Sequence, residues 1–165
     1  MNKRVLSLLV DNTSGVLSRI AGLFSRRGYN IDSLTVGETA DPRYSRMTVV
    51  VNGDDKILDQ ITKQLAKLVD VVDIKPLADN ESVSRELVLV KVRADGQNRQ
   101  AIIGITDIFR AKIIDVGIDS LIIELTGNQS KIDAFIRLLE GYEILELART
   151  GITGLSRGAE DVRYL

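Results

Sequence analysis

The feature that most restricts this chain is a change of apolar period. Val5-Leu6-Ser7-Leu8-Leu9-Val10 reads as a strand, and Val16, Leu17, Ile20, Leu23 and Phe24 then recur at helical spacing. Extended runs follow, from Asn30 to Thr39 and from Tyr44 to Asn52, broken by the turn Ala40-Asp41-Pro42-Arg43. In the second run Met47, Val49 and Val51 share one face, with Thr48 and Val50 on the other. Gly53-Asp54-Asp55 opens a second helix with Ile57, Leu58, Ile61, Leu65 and Leu68 apolar. Val71 to Lys75 is a short strand stopped by Pro76.

The succession is β-α-β-β-α-β, and it begins again after the polar stretch Ala78-Asp79-Asn80-Glu81-Ser82. Leu87 to Val92 is a strand, Asn98 to Arg110 a helix with Ile102, Ile105 and Phe109 on one face, and Ile113–Val116 and Ser120–Leu125 are strands around Gly117. Asn128 to Leu139 is a helix capped at Asn128 or Ser130, with Ile132, Phe135, Ile136 and Leu139 apolar, and Tyr142 to Arg149 closes the series. The halves also correspond in sequence at an offset of 85, Ile20, Leu23, Phe24 and Ile31 matching Ile105, Ile108, Phe109 and Val116. The expected fold is α+β: two ferredoxin-like βαββαβ domains in tandem, each an antiparallel sheet with both helices on one face. Residues 1–78 form the first domain, 79–84 a linker, 85–150 the second domain and 151–165 a tail.

Composition then removes whole classes of function. The chain of 165 residues has neither Cys nor His, which excludes disulfides, thiolate nucleophiles, Cys/His zinc sites and imidazole-based catalysis. Asp and Glu are scattered, so an independent carboxylate enzyme is not expected and no metal site is assigned. With 22 basic and 23 acidic residues there is no field to recruit nucleic acid or a membrane surface. No apolar run approaches the roughly 18 residues of a membrane helix, and Asp11 and Asn12 interrupt any leader-like start. A soluble, cytoplasmic protein is the expectation.

One turn stands out. Asp11-Asn12-Thr13-Ser14-Gly15 leads into the first helix, with Thr13 or Ser14 available as cap and Gly28 placed to end the helix. It reads either as a capped helix start without a ligand or as a carboxylate or phosphate site, because a helix N-terminus presents unpaired N–H groups. For useful affinity, Asn12 and Asn30 would add amides to the backbone N–H groups of Gly15 and Val16. The second half has Ala94-Asp95-Gly96-Gln97-Asn98 instead, with no comparable capped turn. Arg26 and Arg27 read as a solvated helix end. Thr150 to Gly158 is glycine-rich but lacks the Walker spacing, and reads as a flexible or partner-ordered terminus.

Asp11-Asn12-x-x-Gly15-Val16-Leu17 before a helix in such a unit resembles an ACT domain, the amino-acid-sensing module of biosynthetic enzymes. A longer set of motifs is more specific: Gly22 through Val36, Ser45-Arg46-Met47-Thr48, Gln64-Leu65-x-Lys67-Leu68-Val69-Asp70-Val71, Arg85-Glu86-Leu87-x-Leu89-Val90-Lys91-Val92 and Ala148-Arg149-Thr150-Gly151. Together they cover nearly the whole chain and resemble the small, regulatory subunits of bacterial acetolactate (acetohydroxyacid) synthase.

The resemblance implies a non-catalytic chain that activates a catalytic large subunit holding thiamine diphosphate, Mg²⁺ and FAD. It also implies feedback inhibition by valine in branched-chain amino-acid synthesis. The implied effector site lies between two ACT domains of a homodimer, with Asn12, Gly15, Val16 and Leu17 from one chain and Asn30 and Ile31 from the other. Gly37 stands where related chains often carry Ala. The alternative is a freestanding ACT regulator of another enzyme or of transcription, although no helix-turn-helix segment is present.

Overall fold

The structure, a computed structural model, describes residues 2–159. The chain divides into two compact units, one comprising the residues up to Ser84 together with those from Ile152 onward, the other Arg85–Gly151.

In the first unit β1 (Lys3–Asp11), α1 (Val16–Arg26), β2 (Ile31–Glu38), β3 (Tyr44–Asn52), α2 (Asp55–Leu65) and β4 (Val71–Pro76) form a sheet of order β2-β3-β1-β4. All its neighbouring pairs are antiparallel, so β1 and β2, which flank β3, run in the same direction. Leu6, Leu8 and Val10 of β1 and Met47, Val49 and Val51 of β3 meet Val16, Ile20, Leu23 and Phe24 of α1 and Ile61 and Leu65 of α2. That face is the core the alternation predicts. Asp54 caps α2, its carboxylate accepting from the Ile57 amide at 2.9 Å. The helix ends at Leu65, short of Leu68, which still packs on the core from the following turn.

The second unit repeats the plan with the main part of β5 (Ser82–Arg93), α3 (Arg99–Ile108), β6 (Lys112–Val116), β7 (Ser120–Gly127), α4 (Gln129–Leu139) and β8 (Ile144–Arg149), in the order β6-β7-β5-β8. Val88, Val90, Val92, Leu121, Ile123 and Leu125 face Ile102, Ile132, Phe135 and Leu139, and Phe109 meets Phe135 edge-on at 5.3 Å between ring centroids. Asn128 caps α4, accepting from the Lys131 amide at 3.0 Å.

Two expectations fail at the joints. Residues 82–84, read as the end of a polar linker, already belong to β5. The glycine-rich segment read as a flexible or partner-ordered terminus contains β9 (Thr153–Ser156), which pairs with β5 of the same chain, and Ile152 is buried. The remaining tail, residues 160–165, lies outside the described residues. The reason is visible on the first sheet: Ser7, Leu9, Thr48 and Val50, on the face away from the helices, are also buried. A two-layer unit would leave that face wet, and here the returning segment lies on it. Among the described residues no helix is long and apolar enough to cross a membrane.

Candidate functional site

The turn between β1 and α1 is built by backbone geometry. Gly15 occupies the N-cap position at φ +87°, a left-handed conformation that side-chain-bearing residues avoid. Neither Thr13 nor Ser14 supplies the expected cap, for α1 has no side-chain cap hydrogen bond. The Gly15 carbonyl starts the helix by accepting from the Arg19 amide at 3.0 Å. The first-turn N–H groups of α1, Val16 and Leu17 among them, therefore lack a side-chain acceptor, as an anion site requires.

Neighbouring strands hold the turn in place. The Asn12 amide N–H donates to the Arg43 carbonyl at 2.8 Å, and its side chain donates to the Pro42 carbonyl at 2.9 Å and to Glu38 at 3.2 Å. Asn12 thus gives its side-chain N–H groups to the β2–β3 hairpin and keeps its Oδ1 as an acceptor. The hairpin is itself pinned by Arg43, whose hydrogen bonds to Asp41 hold that carboxyl below the usual range. Val16 is buried in the core, whereas Leu17 is 47 % exposed beside it.

Sequence reasoning missed Arg19. Its Nε donates to Asp70 at 2.5 Å, and its Nη1 lies 2.9 Å from where a β-carbon on Gly15 would stand. The hydrogen bond to the Asp70 carboxylate raises the Arg19 pKa, and the Asp70 backbone carbonyl accepts from the Asp11 amide at 2.9 Å. The signal was available in the spacing, since a residue four places after the cap stacks back over the turn.

The structure brings Asn12, Gly15, Val16 and Leu17 together and puts Asn30 and Ile31 elsewhere. Asp11 is opposite Tyr44 and Ile31 opposite Val51, seven positions apart along β3, or roughly 23 Å at about 3.3 Å per residue. Asn30 there donates to Asp32 at 2.9 Å, and Asn52 donates to the other oxygen of that carboxylate at 2.6 Å. One copy of the chain cannot wrap a small molecule with both groups.

The second unit handles its corresponding turn differently. Asp95 Oδ1 accepts from the amides of Gln97 at 2.8 Å and Asn98 at 3.0 Å, which holds its carboxyl below the usual range. Arg99 reaches from the start of α3 to the carbonyls of Ala94, Gly117 and Ile118 at 2.7–2.9 Å. This turn meets its polar needs with its own side chains, and the open one lies in the first unit. The motifs around Glu86 and Arg149 also meet: Arg149 donates to both oxygens of Glu86 at 2.7 and 2.9 Å and to Asp133 at 3.1 Å. That clamp ties β5 to β8.

A βαββαβ unit with strand order β2-β3-β1-β4 and an open glycine turn before its first helix defines an ACT domain. Residues 6–73 match the model of the AHAS small subunit-like ACT domain, and residues 85–158 match that of the small subunit of acetolactate synthase. The acetolactate synthase small subunit of Mycobacterium bovis is 50 % identical over 157 residues, covering 95 % of this chain and 94 % of the relative. The isozyme 3 small subunit of Salmonella typhimurium is 49 % identical over 162 residues, covering 98 % and 99 %. The crystal structure of the small subunit from Thermotoga maritima superposes with a TM-score of 0.89 at 46 % identity, covering 96 % of this chain and 99 % of that one. The chain belongs to the acetolactate synthase small-subunit family.

Proposed function

We propose that this chain is the regulatory subunit of an acetolactate synthase in the cytoplasm. It joins a catalytic large subunit, raises its turnover, and lets valine lower it again. The thiamine diphosphate, Mg²⁺ and FAD of the reaction belong to the large subunit. The effector site lies between two ACT units of a homodimer.

The separation of Gly15 from Asn30 is the observation that carries this reading. Among the described residues β2 is an edge strand, bonded within its sheet to β3 alone. A second copy adding antiparallel along β2, about a two-fold axis, sets the start of one β2 beside the end of the other. Asn30 and Ile31 of one copy then approach Asn12 and Glu38 of its partner, and residues 23 Å apart in one chain converge in two. Valine needs donors for its carboxylate, acceptors for its ammonium and a small apolar surface. First-turn N–H groups and Arg19 meet the first need, Asn12 Oδ1 and Glu38 the second, and Leu17 and Ile31 the third.

Because effector coupling is reciprocal, valine bound at the pair of ACT units favours whichever assembly it binds more tightly. The test is acetolactate formation by the cognate large subunit, with and without this chain, over a valine titration. Activation by the chain followed by a valine-dependent fall is expected. An unchanged rate on adding the chain refutes the assignment.

A further inference from the structure

The segment from Ile152 to Ser156 has no part in the site described above, yet it is built into the first unit. The Ile152 carbonyl accepts from Thr35 Oγ1 at 3.1 Å, and the Gly154 amide donates to Thr48 Oγ1 at 3.4 Å. Thr35 and Thr48 are direct partners across the β2–β3 ladder, and Thr48 in turn faces Ser7 on β1. The segment therefore lands on one row of short hydroxyl side chains crossing the sheet. Farther along, the Arg157 amide donates to the Glu81 carbonyl at 2.8 Å.

The fit around Gly154 is close. A β-carbon there would stand 2.9 Å from Leu77 Cδ1, 2.9 Å from Ser84 Oγ and 3.2 Å from the Val83 carbonyl oxygen. Leu77 and Ser84 side chains can turn, but the Val83 backbone is held in β5. Only glycine lets the segment lie this deep, which gives a packing reason for a glycine in a stretch that lacks the Walker spacing. Thr48 is 1 % exposed, and the Gly154 amide supplies its hydroxyl with a partner in place of water.

We infer that Ile152–Ser156 is a strap that staples β2 to β3 and thereby holds the edge strand in the form the effector interface needs. β2, like β4 at the other edge, has a ladder on one side and a register shift, here between Ile31 and Ser33, and it is β2 whose Thr35 hydroxyl reaches the Ile152 carbonyl. The strap restrains it from the face. Release of the strap loosens β2, and with it Asn30 and Ile31, while α2, packed on the opposite face of the sheet, is unaffected. The part concerning the effector rests on the reading under Proposed function; the stapling of β2 does not.

Amide hydrogen exchange on the full-length chain tests this, comparing wild type with Gly154→Val and Thr35→Val. Gly154→Val should speed exchange in residues 152–156 and in β2 by about tenfold or more, leaving α2, which packs on the other face of the sheet, within about twofold of wild type. Thr35→Val, which keeps the side-chain shape and removes one bond, should act in the same direction more weakly, and it stands alone if Gly154→Val does not fold. Strap amides that speed up while β2 keeps its wild-type rate overturn the inference. In the same samples calorimetry should show weaker valine binding in step with the loosening of β2. A wild-type chain that binds no valine refutes the effector reading and leaves exchange to decide the strap, while valine affinity unchanged with β2 loosened removes the strap's link to the site.

Discussion

Gly15→Asp, set against Gly15→Ala, is the sharpest probe of the turn. Both substitutions put a β-carbon on a residue at φ +87°, and both push against Arg19 Nη1, 2.9 Å from the new atom. The left-handed conformation costs each variant about 1–2 kcal/mol relative to glycine, and Arg19 Nη1 can give way as the far end of a long, half-exposed side chain that Asp70 holds through Nε. The two variants should therefore unfold at similar urea concentrations, below wild type. Only the Asp variant adds a negative charge where an incoming carboxylate must sit. Two like charges at 4 Å repel by about 4 kcal/mol at an effective dielectric constant near 20, and Arg19 cancels part of that. A net penalty of about 1.4 kcal/mol or more remains, which is tenfold in valine affinity. Gly15→Asp should thus abolish feedback while activation of the large subunit persists, and Gly15→Ala should lie between it and wild type. Calorimetry on both variants measures the difference. Equal valine affinity in the two would show that the carboxylate binds elsewhere.

Asn12→Ala removes the bonds to Pro42 and Glu38 as well as a site acceptor, so valine affinity should fall by roughly 1–3 kcal/mol with some loss of stability, measured by calorimetry and urea titration. Arg149→Met leaves Glu86, 4 % exposed, without its bidentate partner; a loss of about 3 kcal/mol is expected, and the double variant Glu86→Leu, Arg149→Met should recover much of it in urea unfolding. The Asp95 carboxyl is held below its usual range in the folded chain, so its contribution is present above the unfolded pKa and disappears as pH falls through the folded one. Asp95→Asn should therefore lower stability near neutrality and flatten the loss of stability below about pH 4, seen as urea midpoints converging with wild type in acid. Valine should stabilise the small-subunit dimer by about 2.7 kcal/mol per site at a hundredfold excess over Kd; sedimentation over a dilution series reads this, and an unmoved dissociation midpoint with valine bound would place the pocket within one chain.

Local rules made most of the fold legible. Alternation and helical spacing located the eight strands and four helices of the two repeats, because each side chain's face follows from its own position in a strand or helix. The repeat, and a turn before the first helix unlike that of the second half, were visible in the same way; which of the two turns satisfies its amides with its own side chains was not. Three matters were decided only by tertiary structure. Thr13 and Ser14 looked like caps by residue type, but the left-handed Gly15 turns the chain so that neither takes up the role. Thr48 was placed on the face opposite the apolar row, yet it is buried, and a segment more than a hundred positions later returns to accept from Thr35 and donate to Thr48. Asn12 and Asn30 were expected to come to one site from two chains, and how far apart they lie within a single chain was set by the direction of β2, which puts them at opposite ends of the sheet. Periodicity reports which face a residue turns toward, whereas what covers that face depends on where distant parts of the chain come to lie.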